Sequence, residues 1–139
     1  MNIRNRPCEV STTTPASPEM ADKSGAELIS EARKRIKEIS VADVLAMQAR
    51  GDNAVYLDVR EQNEWNLGHI PKATFLPRGV IETTVEQRVP RDAKVIIYCA
   101  SGNRSVLAAE TMHHMGYHDV ASMAGGIRKW VESGGDVEG

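Results

Sequence analysis

The residues best equipped for chemistry are Cys99 and the short polar run behind it, Ala100, Ser101, Gly102, Asn103 and Arg104. The apolar run Lys94–Tyr98 (KVIIY) predicts a fully buried strand that stops where Cys99 begins, and residues 103–115 predict a helix closed by Gly116. In parallel α/β sheets, sites lie at the carboxyl ends of the strands, which is where this order places Cys99. Small, flexible residues let successive backbone N–H groups turn inward as an anion-binding nest. The helix start adds positive potential from its unpaired N–H groups. Arg104 supplies a permanent cation able to reach back over the loop. Together these favour the thiolate of Cys99, the nucleophilic form. A cysteine at a strand end is, on its own, most simply a small buried hydrophobe. The loop and Arg104 turn the reading toward a reactive thiol.

The elements that must hold this loop follow from the rest of the pattern. Leu28, Ala32, Ile36 and Ile39 recur at helical spacing, predicting an amphipathic helix over 24–37 with its basic residues off the apolar stripe. A short strand at Glu38–Ser40 leads to Ser40 as N-cap of a helix Val41–Arg50, stopped by Gly51. Further strands are expected at Ala54–Asp58, Ala73–Leu76 and Val120–Met123, and helical pieces at Gln62–Asn66, Gly79–Glu86 and Gly126–Glu132. Strands alternating with helices predict an open, mainly parallel β-sheet flanked by helices on both faces, an α/β fold. The organisation expected is a disordered leader over 1–23, rich in Ser, Thr and Pro, then the helix at 24–37, one domain over 38–135, and a tail over 136–139.

Composition narrows the function classes. Of 139 residues, 17 are Lys or Arg and 19 Asp or Glu, and only 4% are aromatic. That balance is poorly suited to a nucleic-acid surface, where basic stripes and stacking platforms carry affinity. No run approaches the length of a membrane helix, and the start lacks the apolar stretch of a secretory signal. With only Cys8 and Cys99, a disulfide scaffold is excluded and the cytoplasm is the expected compartment. His113, His114 and His118 are adjacent to or beyond a helix break at Gly116, so they predict exposed polar residues, and no Cys/His cluster has zinc spacing. No metal or cofactor is expected.

Four segments carry a family resemblance: LDVREQNEW at Leu57–Trp65, GHIPKA at Gly68–Ala73, YCASGNRS at Tyr98–Ser105 and AGGIRKW at Ala124–Trp130. In this order and spacing the chain resembles single-domain rhodaneses, the thiosulfate sulfurtransferase-like proteins, from Ile36 to Val131. The resemblance implies a catalytic cysteine, Cys99, at the first position of a six-residue loop, Cys99–Arg104, whose backbone N–H groups hold the bound sulfur or anion. It implies transfer of a sulfane sulfur from thiosulfate or a related anionic donor, through a Cys99 persulfide, to a thiol acceptor that is either a small molecule or a thioredoxin-like protein. Asp58, Arg60 and Ser105 are secondary candidates. Asp58 and Arg60 are expected mainly to hold the following turn. Glu64, His69 and Trp130 are expected to be scaffold rather than chemistry.

Two departures stand out. Many active rhodaneses carry Arg directly after the cysteine, where this chain has Ala100, so one cation is missing. GHIPGA becomes GHIPKA, with Lys72 in a surface turn. Two other functions share the scaffold. One is a sulfur-carrying or regulatory module without turnover. The other is a phosphatase of the same fold, but those enzymes resemble C-x5-R, and this loop is C-x4-R.

Overall fold

The computed structural model describes residues 22–139. Apart from Asp22 and Lys23, the leader expected over 1–23 lies outside the described residues, as does Cys8. At the centre is β4 (Val95–Tyr98), four buried residues whose side chains alternate between two apolar layers. Val95 and Ile97 join Leu57, Val85, Ala109 and Met112, whereas Ile96 and Tyr98 join Val44, Met47, Ile70 and Trp130. β2 (Val55–Asp58) and β5 (Val120–Met123) flank β4, and β1 (Lys37–Ile39) and β3 (Thr74–Phe75) form the edges. The order is β1-β5-β4-β2-β3 and every pairing is parallel. Helices cover both faces, as a parallel sheet requires. This is the α/β architecture expected from the alternation of elements.

One face is covered by α4 (Ile81–Arg88) and α5 (Arg104–His114), through Ile81, Val85, Ala108 and Met112. The other is covered by α2 (Val41–Arg50) and α6 (Gly126–Glu132), through Val41, Val44, Met47 and Trp130. Ser40 caps α2, its hydroxyl accepting the Asp43 N–H at 3.0 Å. The short α3 (Gln62–Asn66) follows β2. α1 (Gly25–Arg35) begins with a capping box between Ser24 and Glu27 and lies against α5, where Arg35 Nε donates to Glu110 at 2.5 Å.

β1 comes one residue earlier than Glu38–Ser40, β2 begins at Val55 rather than Ala54, and α5 is one residue shorter at each end than 103–115. Three differences are larger. α1 stops at Arg35, not Lys37, because Ile36 turns extended and Lys37 is already paired with Ala121 of β5. The helix expected over Gly79–Glu86 is α4 at Ile81–Arg88, since Pro77 opens a single 3₁₀ turn over Arg78–Val80 ahead of it. The strand expected over Ala73–Leu76 is only two residues long. Among the described residues, no helix is long and apolar enough to cross a membrane.

Candidate active site

Cys99 leaves the carboxyl end of β4 with a side chain that is 1% exposed. The loop curls around its sulfur. The Gly102 N–H donates to Sγ at 3.1 Å and the Ser105 N–H at 3.4 Å, and the Ser105 hydroxyl lies 3.5 Å away. Behind it, the Ser105 and Ser122 hydroxyls are hydrogen-bonded at 2.8 Å, both fully buried. Burial pushes the Cys99 thiol up. The Ser105 hydroxyl, with the N–H groups of Ser105, Gly102 and Ser101, outweighs that push and holds it below the ordinary thiol value.

The loop is fixed from outside by the start of α6. The Ile127 N–H donates to the Cys99 carbonyl at 2.9 Å and the Arg128 N–H to the Ala100 carbonyl at 3.1 Å. This approach needs glycine at position 126, because a Cβ there would sit 2.4 Å from the Cys99 oxygen and 2.5 Å from that of Ala100. Gly102 adopts φ +105° at the bend that turns its own N–H onto the sulfur.

The remaining loop residues divide by role. Ala100 is half-buried and lines a surface cavity, and Ser101 is exposed. Asn103 precedes α5 without capping it; its side-chain oxygen accepts from Arg33 Nη2 of α1 at 3.1 Å. The N–H groups directed at the sulfur atom itself are those of Gly102 and Ser105, joined by that of Ser101. The Arg104 guanidinium, expected over the loop as a cation, forms a fork with Glu64 at 2.8 and 2.9 Å and acts on the Cys99 charge through space. Glu64 is set in place by accepting the Glu61 N–H at 2.9 Å, and the Arg104 hydrogen bonds bring its carboxyl down to about 2.

Asp58 and Arg60 form a second fork nearby, buried and two residues apart in sequence. Arg60 Nε donates to Asp58 Oδ1 at 3.0 Å and Nη2 to Oδ2 at 2.7 Å, while Nη2 also reaches the Gly68 carbonyl at 2.7 Å. That ties the end of β2 to the turn ten residues on. His69 stacks on Trp65 with ring centroids 3.4 Å apart and pairs its backbone with Glu138, so residues 136–139 run against this same turn. Trp130 is fully buried, and its indole N–H donates to the Asp136 carbonyl at 2.8 Å. His113, His114 and His118 are exposed, and among the described residues no cluster of His, Cys, Asp or Glu could hold a metal.

Two participants escaped the sequence reading. Glu64, expected as scaffold, also pairs with Arg104 from forty residues away. Its capping box with Glu61 signals only its local place at the start of α3. Ser122 shows only as a single hydroxyl in an otherwise apolar strand.

A cysteine at a central strand end, ringed by N–H donors ahead of a helix, accords with a match of the rhodanese-like domain family to residues 40–133. The chain belongs to the rhodanese family. It is 32% identical over 99 residues to a sulfurtransferase of Allochromatium vinosum, covering 71% of this chain and 92% of that protein. To the thiosulfate:glutathione sulfurtransferase of Saccharomyces cerevisiae it is 30% identical over 126 residues, covering 81% and 91%. The putative sulfur carrier protein YrkF of Bacillus subtilis is 33% identical over 109 residues, 78% of this rhodanese chain but only 58% of YrkF. Among solved structures, RPA3614 from Rhodopseudomonas palustris superposes with a TM-score of 0.78 at 30% identity, over 90% of this rhodanese and 99% of that chain. RPA3614 is a protein of unknown function for which tyrosine phosphatase activity has been suggested. A rhodanese-related protein from Thermoplasma volcanium superposes with a TM-score of 0.66 at 30% identity, over 73% and 97%.

Proposed function

We propose that this rhodanese transfers a sulfane sulfur from an anionic donor such as thiosulfate to a thiol acceptor, through a persulfide on Cys99. The observation that carries this is the ring of Ser101, Gly102 and Ser105 donors around a buried sulfur, in a loop of C-x4-R length. The Cys99 thiolate attacks the outer sulfur of the donor. The new Sγ–S bond forms as the donor's S–S bond breaks, and sulfite leaves with the electron pair. The persulfide that remains is anionic, and preorganised N–H groups stabilise such charge without reorganising. An acceptor thiolate then takes the outer sulfur, and the electrons of the Sγ–S bond return to Cys99. No general base is required, because the nucleophile is already below its ordinary pKa. The described residues hold no second cysteine, which supports a separate acceptor, either a small thiol or a thioredoxin-like protein.

A sulfur-carrier reading shares the first half of this cycle and is favoured by the likeness to YrkF. A phosphatase is disfavoured by the loop, which is one residue shorter than C-x5-R. Steady-state turnover of thiosulfate and cyanide by Cys99→Ser tests the reading. A hydroxyl cannot form the persulfide, so activity should fall by at least ~1,000-fold with the fold retained. Near-wild-type turnover by this variant would sink it.

A further inference from the structure

Three of the five large apolar side chains left exposed on the described surface, Leu67 at 89%, Val131 at 54% and Val137 at 48%, converge on one cavity of about 310 Å³. They come from separate parts of the chain: the turn after α3, the last part of α6, and the segment beyond it. Ala100 and Ile127 complete the apolar lining, and Arg128 borders it. Ala100 directly follows the nucleophile, so the cavity opens against the sulfur-bearing loop. Apolar side chains gathered at one polar-rimmed spot mark a binding surface, whereas single exposed ones do not.

The charges around this mouth differ in availability. Arg60 also lines it, but is locked onto Asp58 and the Gly68 carbonyl. Arg104 is locked onto Glu64. The Arg128 side chain is exposed and forms no ion pair among the described residues. The mouth thus offers a small apolar hollow with one available cation. Inorganic thiosulfate has two negative charges and no apolar surface to place there.

Resting on the sulfurtransferase reading above, we infer that the preferred sulfur donor is an organic sulfane-sulfur anion with an apolar substituent, which seats the substituent between Leu67, Ile127, Val131 and Val137 and its anionic end near Arg128. The size of the hollow suits a small organic molecule, at the lower end of ligand pockets. For a thiosulfonate, the Cys99 thiolate attacks the terminal sulfur. The Sγ–S bond forms, the bond from that sulfur to the sulfonyl sulfur breaks, and its electron pair leaves with the alkanesulfinate. No proton or outside oxidant takes part.

Steady-state kcat/KM for a series of alkanethiosulfonates, from methane to butane, with a common acceptor tests this. It should rise about twofold for each added methylene, as expected for half-burial of the chain. The slope should vanish in Leu67→Ser/Val131→Ser, whose two positions are exposed enough for the fold to tolerate serine. Arg128→Gln should lower kcat/KM for these anions about two- to threefold, a deficit that shrinks with added salt. A flat chain-length profile in the wild type, or a slope that survives the double variant, overturns the inference. An unchanged Arg128→Gln overturns the placing of the anionic end. Intact-mass measurement after treatment with thiosulfate and, separately, with each alkanethiosulfonate separates the two levels. One added sulfur on Cys99 together with a flat profile overturns only the apolar mouth, whereas no added sulfur from any donor overturns the sulfurtransferase reading with it.

Discussion

Two turns leave neighbouring strands of this sheet at the same carboxyl end, and they handle polar groups in opposite ways. After β2, the segment from Asp58 to Gly68 satisfies itself: Arg60 is clamped by Asp58, reaches the Gly68 carbonyl, and lies 5% exposed. After β4, the loop from Cys99 to Arg104 turns the Ser101 and Gly102 N–H groups to one sulfur atom, and its Cys99 and Ala100 carbonyls are taken up by α6. The first turn uses charged side chains to fix backbone. The second uses backbone to hold a charge. The arginine that seemed destined for the thiolate belongs to the first pattern, because Glu64 reaches across from the β2 turn and neutralises Arg104. Stabilisation of the thiolate therefore rests mainly on neutral dipoles that are fixed in place, with a through-space share from the paired Arg104.

The most damaging way to break this contrast is to disturb the backbone of the β4 loop from outside. Gly126→Ala would drive a methyl carbon into two carbonyl oxygens at 2.4 and 2.5 Å, with φ at +61° adding strain. We expect a loss of about 2–4 kcal/mol in unfolding free energy, together with a loss of sulfur transfer, measured by denaturant unfolding and turnover. Full stability in this variant would show that α6 does not press on the loop.

Removing one donor without moving the backbone is milder. Ser105→Ala deletes the hydroxyl that faces Sγ and leaves Ser122 without its partner. Hydrogen bonds to charged groups are worth roughly 1.5–3 kcal/mol, so the rate of Cys99 alkylation near neutral pH should fall about tenfold. The midpoint of that rate against pH should move up. In the wild type the midpoint lies below that of an ordinary thiol, so reactivity is present above it and is lost as pH falls through it. An unmoved midpoint would assign the stabilisation to the N–H groups alone.

The link between the two turns should matter least. The Glu64 carboxyl sits at about 2 in the fold, below its unfolded value, so its stabilisation is present above the unfolded pKa and is lost as pH falls toward 2. Glu64→Gln should cost about 1 kcal/mol at neutral pH, since both partners are partly solvated, and the difference from wild type should close in acid. The Cys99 alkylation midpoint should shift less than in Ser105→Ala. A larger shift would return a direct electrostatic role to the Arg104 pair.

How much of this was legible in the sequence depended on whether the interaction was local. β4, Cys99 and α5 are contiguous, and an apolar run, a small polar loop and a helical repeat each leave a short-range signature. α2, β5 and α6 likewise have the bounds their patterns predict, because caps and breakers such as Ser40 and Gly51 lie beside them. The fork between Arg104 and Glu64 was not legible, since forty residues separate the partners and only the parallel pairing of β2 with β4 brings their ends together. The early stop of α1 had the same cause. Its last turn lost to a strand pairing with Ala121, which no local pattern announces.

The most direct test of the central claim is intact-mass spectrometry of the protein after thiosulfate treatment, followed by peptide mapping. The account predicts one added sulfur, located on Cys99, removed by cyanide, and absent from Cys99→Ser. No adduct under excess thiosulfate, or an adduct that maps to Cys8 and persists in Cys99→Ser, would contradict it.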